Sequence, residues 1–303
     1  MGDRSTREVH SEYSLLTSCS FPLTVRRGQS KAEEEESLMD CHWHPEAEWF
    51  FVMEGELLFQ VDTECFRVAA GEAVFLDGGE VHAAYSISGT ACAYCSIVFN
   101  PSMLTCSIPD LIEQTIVSPL QQRKRTFPRH VKGIHPWEQQ IVHFIRLIME
   151  ADESKNTCYE AAIKGYLFLM LPILAADGCS VNRSQPQPAE QDKMLRLKQV
   201  IQHMQLHYTR TIRSAELAEL VRMSEGQFCR FFKSMTRKTP IEYLNAYRVM
   251  RAAELLRGSS RKISDIAADV GFDHNSYFVR VFRKATGYSP TQFRKAAIGT
   301  SGE

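Results

Sequence analysis

The sequence predicts an α+β protein of two domains: a small N-terminal β-barrel with a helical segment behind it, then an all-α C-terminal domain. Three observations carry this. Short apolar runs broken by turn residues occupy residues 38–99, a helical apolar period replaces them over residues 109–177, and the segment from Lys193 onward contains an internal repeat. A chain of 303 residues has room for two such cores.

Residues 1–19 are polar and irregular and read as a flexible arm. The opening Met1-Gly2-Asp3-Arg4-Ser5-Thr6 lacks the apolar stretch of a secretory signal. The most apolar run, residues 166–176, is about half the length of a membrane span. A soluble, cytoplasmic protein with no membrane contact is expected. Nine cysteines without a framework spacing suit reduced thiols. Cys92 and Cys95 form a C-x-x-C, but residues three apart on a strand face opposite ways, so the pair is poorly placed to chelate or to bridge.

The barrel is expected over residues 20–105. Its strands are read from Glu48-Trp49-Phe50-Phe51-Val52-Met53, Leu57-Leu58-Phe59-Gln60-Val61, Cys65-Phe66-Arg67-Val68 and Ala73-Val74-Phe75-Leu76, with Glu54-Gly55-Glu56 and Asp77-Gly78-Gly79 as breaks. The acidic run Glu33 to Glu36 reads as a solvated loop.

Residues 106–180 are expected to be a helical connector. Trp137, Ile141, Ile145 and Ile148 recur at three and four, as do Tyr159, Ile163, Leu167, Leu171 and Leu174. Residues 152–156 are the expected turn of an antiparallel pair. Its apolar face either packs on the barrel or is shared with a second subunit, which would make this a dimerisation segment. Residues 181–192, with Pro186 and Pro188, read as a polar linker.

In the C-terminal domain, residues 193–298, Arg230-Phe231-Phe232-Lys233 recurs as Arg280-Val281-Phe282-Arg283. Thr239-Pro240-x-x-Tyr243 recurs as Ser289-Pro290-x-x-Phe293 at the same offset, and Leu217-Ala218 recurs as Ile266-Ala267 one residue short of it. Each copy reads as helix, tight turn, helix. Ser224 and Gln227 form a capping box for the second helix of the first copy. Gly271 supplies the turn of the other copy, and Asp273 or His274 starts the helix after it. Thr239-Pro240 and Ser289-Pro290 place a cap and a first-turn proline before the helix that follows.

This domain carries about 20 Lys and Arg against about 8 Asp and Glu, so it is strongly basic while the rest of the chain is acidic. Only one end is built to meet a polyanion. The start of the second helix in each copy turns outward Gly226, Gln227, Cys229 and Arg230, and Asn275, Ser276, Tyr277 and Arg280. Arg reads guanine through two hydrogen bonds, and Asn or Gln reads adenine in the same way. Lys233, Arg237, Lys238, Arg248, Arg251, Arg283 and Lys284 are available for phosphates. Double-stranded DNA is the expected partner.

Lys262-Ile263-Ser264-Asp265-Ile266-Ala267-x-x-Val270-Gly271-Phe272, then Tyr277-Phe278-x-Arg280-x-Phe282-Arg283-Lys284-x-x-Gly287-x-Ser289-Pro290-x-x-Phe293-Arg294, resembles the signature of AraC/XylS-type transcription regulators. The resemblance implies seven helices, with residues 241–256 as the joining helix, and both recognition helices on one face of DNA, in successive major-groove segments. It implies base contacts from Gly226, Cys229, Arg230, Asn275, Ser276, Tyr277 and Arg280. Gly226 and Cys229 are weak readers, which leaves Arg230 and Gln227 in the first unit.

In the barrel, His42-Trp43-His44-x-x-x-Glu48 with Gly55, then Gly71, Asp77, Gly79 and His82, resembles the two motifs of cupins, with Asp77 where proline is usual and Ser86 where asparagine is usual. His42 and His44 share a strand face, Glu48 can join them across a turn, and His82 comes from a later strand. Three imidazoles and a carboxylate suit Mn, Fe, Ni or Zn. Phe50 and Val52 share the inward parity of Glu48 and are expected to line a pocket. Three readings stand open: a metal-free pocket for a small effector such as a sugar, a catalytic or structural metal site, or scaffold residues without a ligand. The whole chain reads as an effector-controlled regulator, not an enzyme. It would act as a homodimer, with RNA polymerase as a partner if it activates.

Overall fold

The computed structural model describes residues 21–30, 37–87, 90–105, 110–122, 127–176 and 188–299. The chain forms two compact units that part between Glu190 and Gln191. The expected arm and residues 181–187 of the expected linker lie outside the described residues. Among the described residues no helix is long and apolar enough to cross a membrane.

Eight strands build the barrel: β1 (Leu23–Ser30), β2 (Ser37–His42), β3 (Ala47–Glu54), β4 (Glu56–Val61), β5 (Glu64–Ala69), β6 (Ala73–Leu76), β7 (His82–Ser86) and β8 (Cys92–Phe99). One sheet runs β2-β7-β4-β5. The other runs β1-β8-β3-β6 and gains a ninth strand, β9 (His130–Val131), at its β6 edge. β9 corrects the expectation that everything after residue 106 is helical. Two residues carry no readable period, and the strand exists because Ala73 and Val74 offer an open edge for pairing with Val131 and His130.

β3 is buried on both faces, which is why its residues read as a continuous apolar run. Its even residues, Phe50 and Val52, pack inside the barrel with Leu57, Phe59, Val74 and Leu76. Its odd residues, Trp49 and Phe51, face outward with Phe75, Ile97 and Phe99. The helices cover that outer face. In α2 (Pro136–Ser154), Ile141, Ile145 and Ile148 recur at helical spacing, and in α3 (Tyr159–Ala176), Ile163, Leu167, Met170 and Leu171 do the same, all within one core with Trp49. The apolar face of the connector is therefore spent on the barrel. Cys92 belongs to the inner core and Cys95 to the outer one, as strand parity requires.

Two boundaries differ from the sequence expectation. α2 continues to Ser154 and stops at Lys155, whose φ of 44° is left-handed, so residues 152–154 are helix, not turn. Before it, a π-helical turn (Glu113–Val117) runs into the short α1 (Ser118–Gln121). Residues 188–192 also form the start of a helix, α4 (Pro188–His207), not the end of a linker. A proline in the first turn has its φ already set for a helix, and Glu190 beside it suits the positive helix end.

The C-terminal unit continues with α5 (Ser214–Leu220), α6 (Glu225–Thr236), α7 (Pro240–Gly258), α8 (Ile263–Asp269), α9 (Asn275–Thr286) and α10 (Pro290–Gly299). With α4 these are the seven helices that the resemblance implies. α5 and α6 form one helix-turn-helix and α8 and α9 the other. Val249, Ala252, Ala253 and Leu256 of α7 share a core with Ile266, Val270, Phe278 and Phe282 of the second unit.

Candidate functional site

The barrel brings its four expected residues together. His42 ends β2 and His82 begins β7, paired in register across the sheet. His44 follows in the turn, and Glu48 lies on β3 with its side chain inward. All four are at most 6 % exposed. One ring nitrogen from each histidine falls within 4.8 Å of those of the other two.

The orientation of the rings follows from their outer contacts. Nδ1 of His42 lies 2.7 Å from the Asp40 carbonyl oxygen, Nδ1 of His44 lies 3.1 Å from that of Glu46, and Nδ1 of His82 lies 2.9 Å from that of Glu80. A carbonyl oxygen only accepts, so each Nδ1 donates, and each ring turns its Nε2 away from that carbonyl. Glu48 Oε2 sits 3.1 Å from Nε2 of His44 and 3.3 Å from Nε2 of His82. The Ser96 hydroxyl donates to the other oxygen, Oε1, at 2.7 Å. Burial disfavours the charged form of the Glu48 carboxyl, but the hydrogen bonds and charge of His44 and His82 win and hold its pKa well below the usual carboxylate value. Burial first, then the neighbouring rings of His82 and His44, push His42 well below the ordinary histidine value. Three imidazoles in one buried cluster, with the Glu48 carboxylate against two of them, form a donor set that a divalent cation fits.

Sequence reasoning did not find Ser96, which reaches Glu48 from β8, nor a supporting pair behind His82. Glu80, 5 % exposed, accepts from the Asp77 amide at 2.9 Å. It also takes a two-pronged contact from Arg129, 3.0 Å to Oε2 and 2.7 Å to Oε1. Arg129 itself accepts from the Phe75 amide through its carbonyl. The segment that adds β9 thus anchors the turn carrying His82. Phe50 and Val52 are fully buried as expected of inward residues, with the Phe50 ring stacked 4.9 Å from Tyr94 and tilted 4.7 Å from Phe59.

In the C-terminal unit the repeat holds residue by residue. Residues 224–232 and 274–282 share one order of exposed and buried positions. Phe228 and Phe232 correspond to Phe278 and Phe282, all fully buried. Thr236 and Thr286 close the two helices alike, each hydroxyl donating to the carbonyl four residues back, at 2.8 and 2.9 Å. Arg230 and Arg280 stand at equivalent exposed positions. The one-residue slip lies in the turn, where Arg222 (φ 56°) corresponds to Gly271 (φ 89°), ahead of the equivalent Ser224 and His274.

Gly226, Gln227, Asn275 and Ser276 are exposed, and Cys229 is half-buried. Gln227 is committed in part to its capping box, its Oε1 accepting from the Ser224 hydroxyl at 2.9 Å and amide at 3.2 Å. Tyr277 does not simply face outward. Its hydroxyl accepts from Asn245 Nδ2 at 2.9 Å, and the Arg280 guanidinium lies over its ring at 5.2 Å. Among the expected phosphate contacts, Lys233, Arg237, Arg283 and Lys284 are exposed. Arg248 is a correction, since it lies on the packed side of α7. Arg248 is 6 % exposed and donates to the carbonyls of Tyr208 at 2.8 Å and Arg210 at 2.7 Å, and burial lowers its pKa. Arg251 pairs with Glu254 at 2.7 Å.

Residues 217–296 match the family described as "Helix-turn-helix domain", and residues 31–98 match "Cupin domain". The chain is 27% identical over 254 residues to the "Uncharacterized HTH-type transcriptional regulator YdeC" of Bacillus subtilis (strain 168), covering 84% of this chain and 85% of that protein. It is 29% identical over 175 residues to the "HTH-type transcriptional activator RhaS" of Klebsiella pneumoniae (strain 342), covering 58% of this chain and 60% of that protein. Among solved structures, ToxT from Vibrio cholerae O395 aligns over 92% of this chain and 99% of its own at 13% identity, with a TM-score of 0.46.

Proposed function

The chain is a DNA-binding transcription regulator on the AraC-type plan, a cupin domain ahead of a helix-turn-helix domain, and from this premise we propose that its barrel senses a small effector and so controls a promoter read by α6 and α9. The observation that carries base reading is the equivalence of Arg230 and Arg280, exposed at the same point of two superposable burial patterns. The recognition helix of such a unit enters the major groove by its N-terminal residues, and arginine is the commonest reader of guanine there.

The His42, His44, Glu48 and His82 cluster is the effector site in this reading. Its donor set supports a divalent metal, Mn, Fe, Ni or Zn, held by the three Nε2 atoms and Glu48. Such an ion, when bound, supplies a Lewis-acid centre that an oxygen of a small polar effector, a sugar for example, can join. The chain's own part is to hold the donors: the carbonyls of residues 40, 46 and 80 fix the rings, and Ser96 fixes the carboxylate. Relatives named as transcription regulators favour sensing over catalysis. In this reading the regulator acts in the cytoplasm as a homodimer. It acts as an activator that contacts RNA polymerase, in keeping with the activator name of its RhaS relatives. The effector must bind two arrangements of the protein with different affinity for this control to work.

Footprinting of the full chain on bound fragments from the source genome tests the reading. Arg280→Ala is expected to lose about 1–3 kcal/mol on a selected site and nothing on random DNA. Equal loss on both would remove base reading. Elemental analysis tests the metal: stoichiometric Mn, Fe, Ni or Zn that disappears in His44→Ala supports it, and metal-free protein that still answers an effector leaves the small molecule alone at the site.

A further inference from the structure

Asn245 is a buried amide in the second turn of α7, 6 % exposed. Its Oδ1 has no hydrogen-bond partner, and its Nδ2 donates to the Tyr277 hydroxyl. A buried polar group with half its capacity unused is costly where a hydrophobic residue would pack well. Packing therefore does not account for an asparagine here, and the bond to Tyr277 does.

Tyr277 and Arg280 are three apart on α9 and share a face. The ring lies between the buried amide and the guanidinium: its hydroxyl end is held by Asn245, and its face carries Arg280. α7 is itself a fixed base for this contact, because Arg248, one turn beyond Asn245, ties it to the carbonyls of Tyr208 and Arg210. The first unit has no such arrangement, since Gln227, in the place of Tyr277, is bonded to its own cap, Ser224.

We propose that Asn245 is a positioning residue for DNA recognition, holding Tyr277 so that Tyr277 presents the Arg280 guanidinium to its base. The proposal rests on Arg280 reading a base. A long side chain held before binding loses less freedom on binding, and it discriminates better because it cannot swing to a neighbouring acceptor. Discrimination at one base pair then depends on a residue that never touches DNA.

The test uses the full chain with two duplexes at one salt concentration, one selected by the wild-type chain from a random library and one random. Asn245→Ala and Tyr277→Phe are each expected to reduce the preference for the selected duplex about 5- to 10-fold, at the base pair that Arg280→Ala also relaxes. Affinity for the random duplex stays unchanged, and the double variant is no worse than either single one. Additive losses would overturn the proposal. So would a loss in Tyr277→Phe alone, which would put the phenol itself on DNA, or an equal loss on random DNA. If Arg280→Ala leaves the preference intact, base reading fails first and the positioning role with it. Tyr277→Phe removes only a hydroxyl from a partly exposed ring, and if Asn245→Ala does not fold, Asn245→Leu, of similar size and with no polar group left unpaired, takes its place in the comparison.

Discussion

His42 and His82 face each other across the β2–β7 pair, in register and with ring centroids 4.2 Å apart. A cross-strand pair puts both rings on the interior face, where Nδ1 bonds to backbone carbonyls fix them and Nε2 of His82 lies 3.3 Å from Glu48. The sheet register therefore sets the donor cluster, and a one-residue slip would turn one of the rings out of the interior.

The cluster makes the N-terminal unit sensitive to acid. His42 is held below its ordinary pKa of 6.5 in the folded unit, so between the two values the unfolded chain binds more protons, and stability rises with pH. This contribution is present above 6.5 and is lost as pH falls below it. The depressed Glu48 adds a second loss below its ordinary 4.5. Chelator-treated protein should show a lower urea midpoint at pH 5.5 than at pH 7.5. Tryptophan fluorescence reads this unit alone, because Trp43, Trp49 and Trp137 all lie in it. Equal midpoints would contradict the assignment. Divalent metal should protect more at the higher pH, since protons compete for the same nitrogens.

Arg129→Ala leaves the Glu80 carboxylate buried without its partner. The expected cost is about 2–4 kcal/mol in the same fluorescence assay, toward the lower side for a buried pair because the guanidinium is partly exposed. Glu80→Gln combined with Arg129→Ala should be more stable than Arg129→Ala alone, since no unpaired charge remains. A double variant as weak as the sum of its singles would show that the pair is not coupled.

Two glycines with left-handed backbone should respond differently to alanine. At Gly271 an added Cβ would meet the Tyr208 carbonyl oxygen and the Arg248 guanidinium, while at Gly287 nothing lies within 4 Å. Gly287→Ala is expected to cost only the conformational strain, about 1–2 kcal/mol. Gly271→Ala should cost about 3 kcal/mol or more, because the turn or Arg248 must move as well. Hydrogen exchange of α7 and α9 in the full chain measures both, and similar losses would refute the crowding at Gly271.

Thiol labelling separates the cysteines. Cys65 and Cys158 are exposed, whereas Cys41, Cys92 and Cys95 are buried. Burial pushes the Cys95 thiol up to about 12, so little thiolate exists near neutrality. Native iodoacetamide treatment followed by mass spectrometry should modify Cys65 and Cys158 ahead of Cys41, Cys92 and Cys95. A Cys92–Cys95 disulfide under mild oxidation would contradict their placement in separate cores.

Much of this arrangement was readable in advance, for physical reasons. Strand parity separates Trp49 from Phe50 and Cys92 from Cys95, and helical spacing marks Ile141, Ile145 and Ile148. The donor cluster was readable because cupin-like spacing marked His42, His44, Glu48 and His82, although His44 lies in the turn past the end of β2 and not on its face. What escaped depends on contacts between distant segments. Ser96 on Glu48, Arg129 on Glu80 and Asn245 on Tyr277 join residues 48, 49 and 32 apart, with no local pattern to betray them. Arg248 reads as surface charge because a basic residue with a long stem can be turned inward once carbonyls await its head group.

The outer face of the five-stranded sheet is completed only by residues that come later in the chain. Trp49, Phe51, Phe75 and Ile97 emerge in synthesis well before Ile141, Ile148 and Leu167, which cover them. Until α2 and α3 follow, the nascent barrel carries an apolar wall open to water or to a second nascent chain. A fragment ended after Thr105 keeps all four donor residues, yet it bares that wall and should precipitate. The sensor is therefore not a cassette that can be lifted out at the end of its eighth strand; its smallest portable form runs through α3.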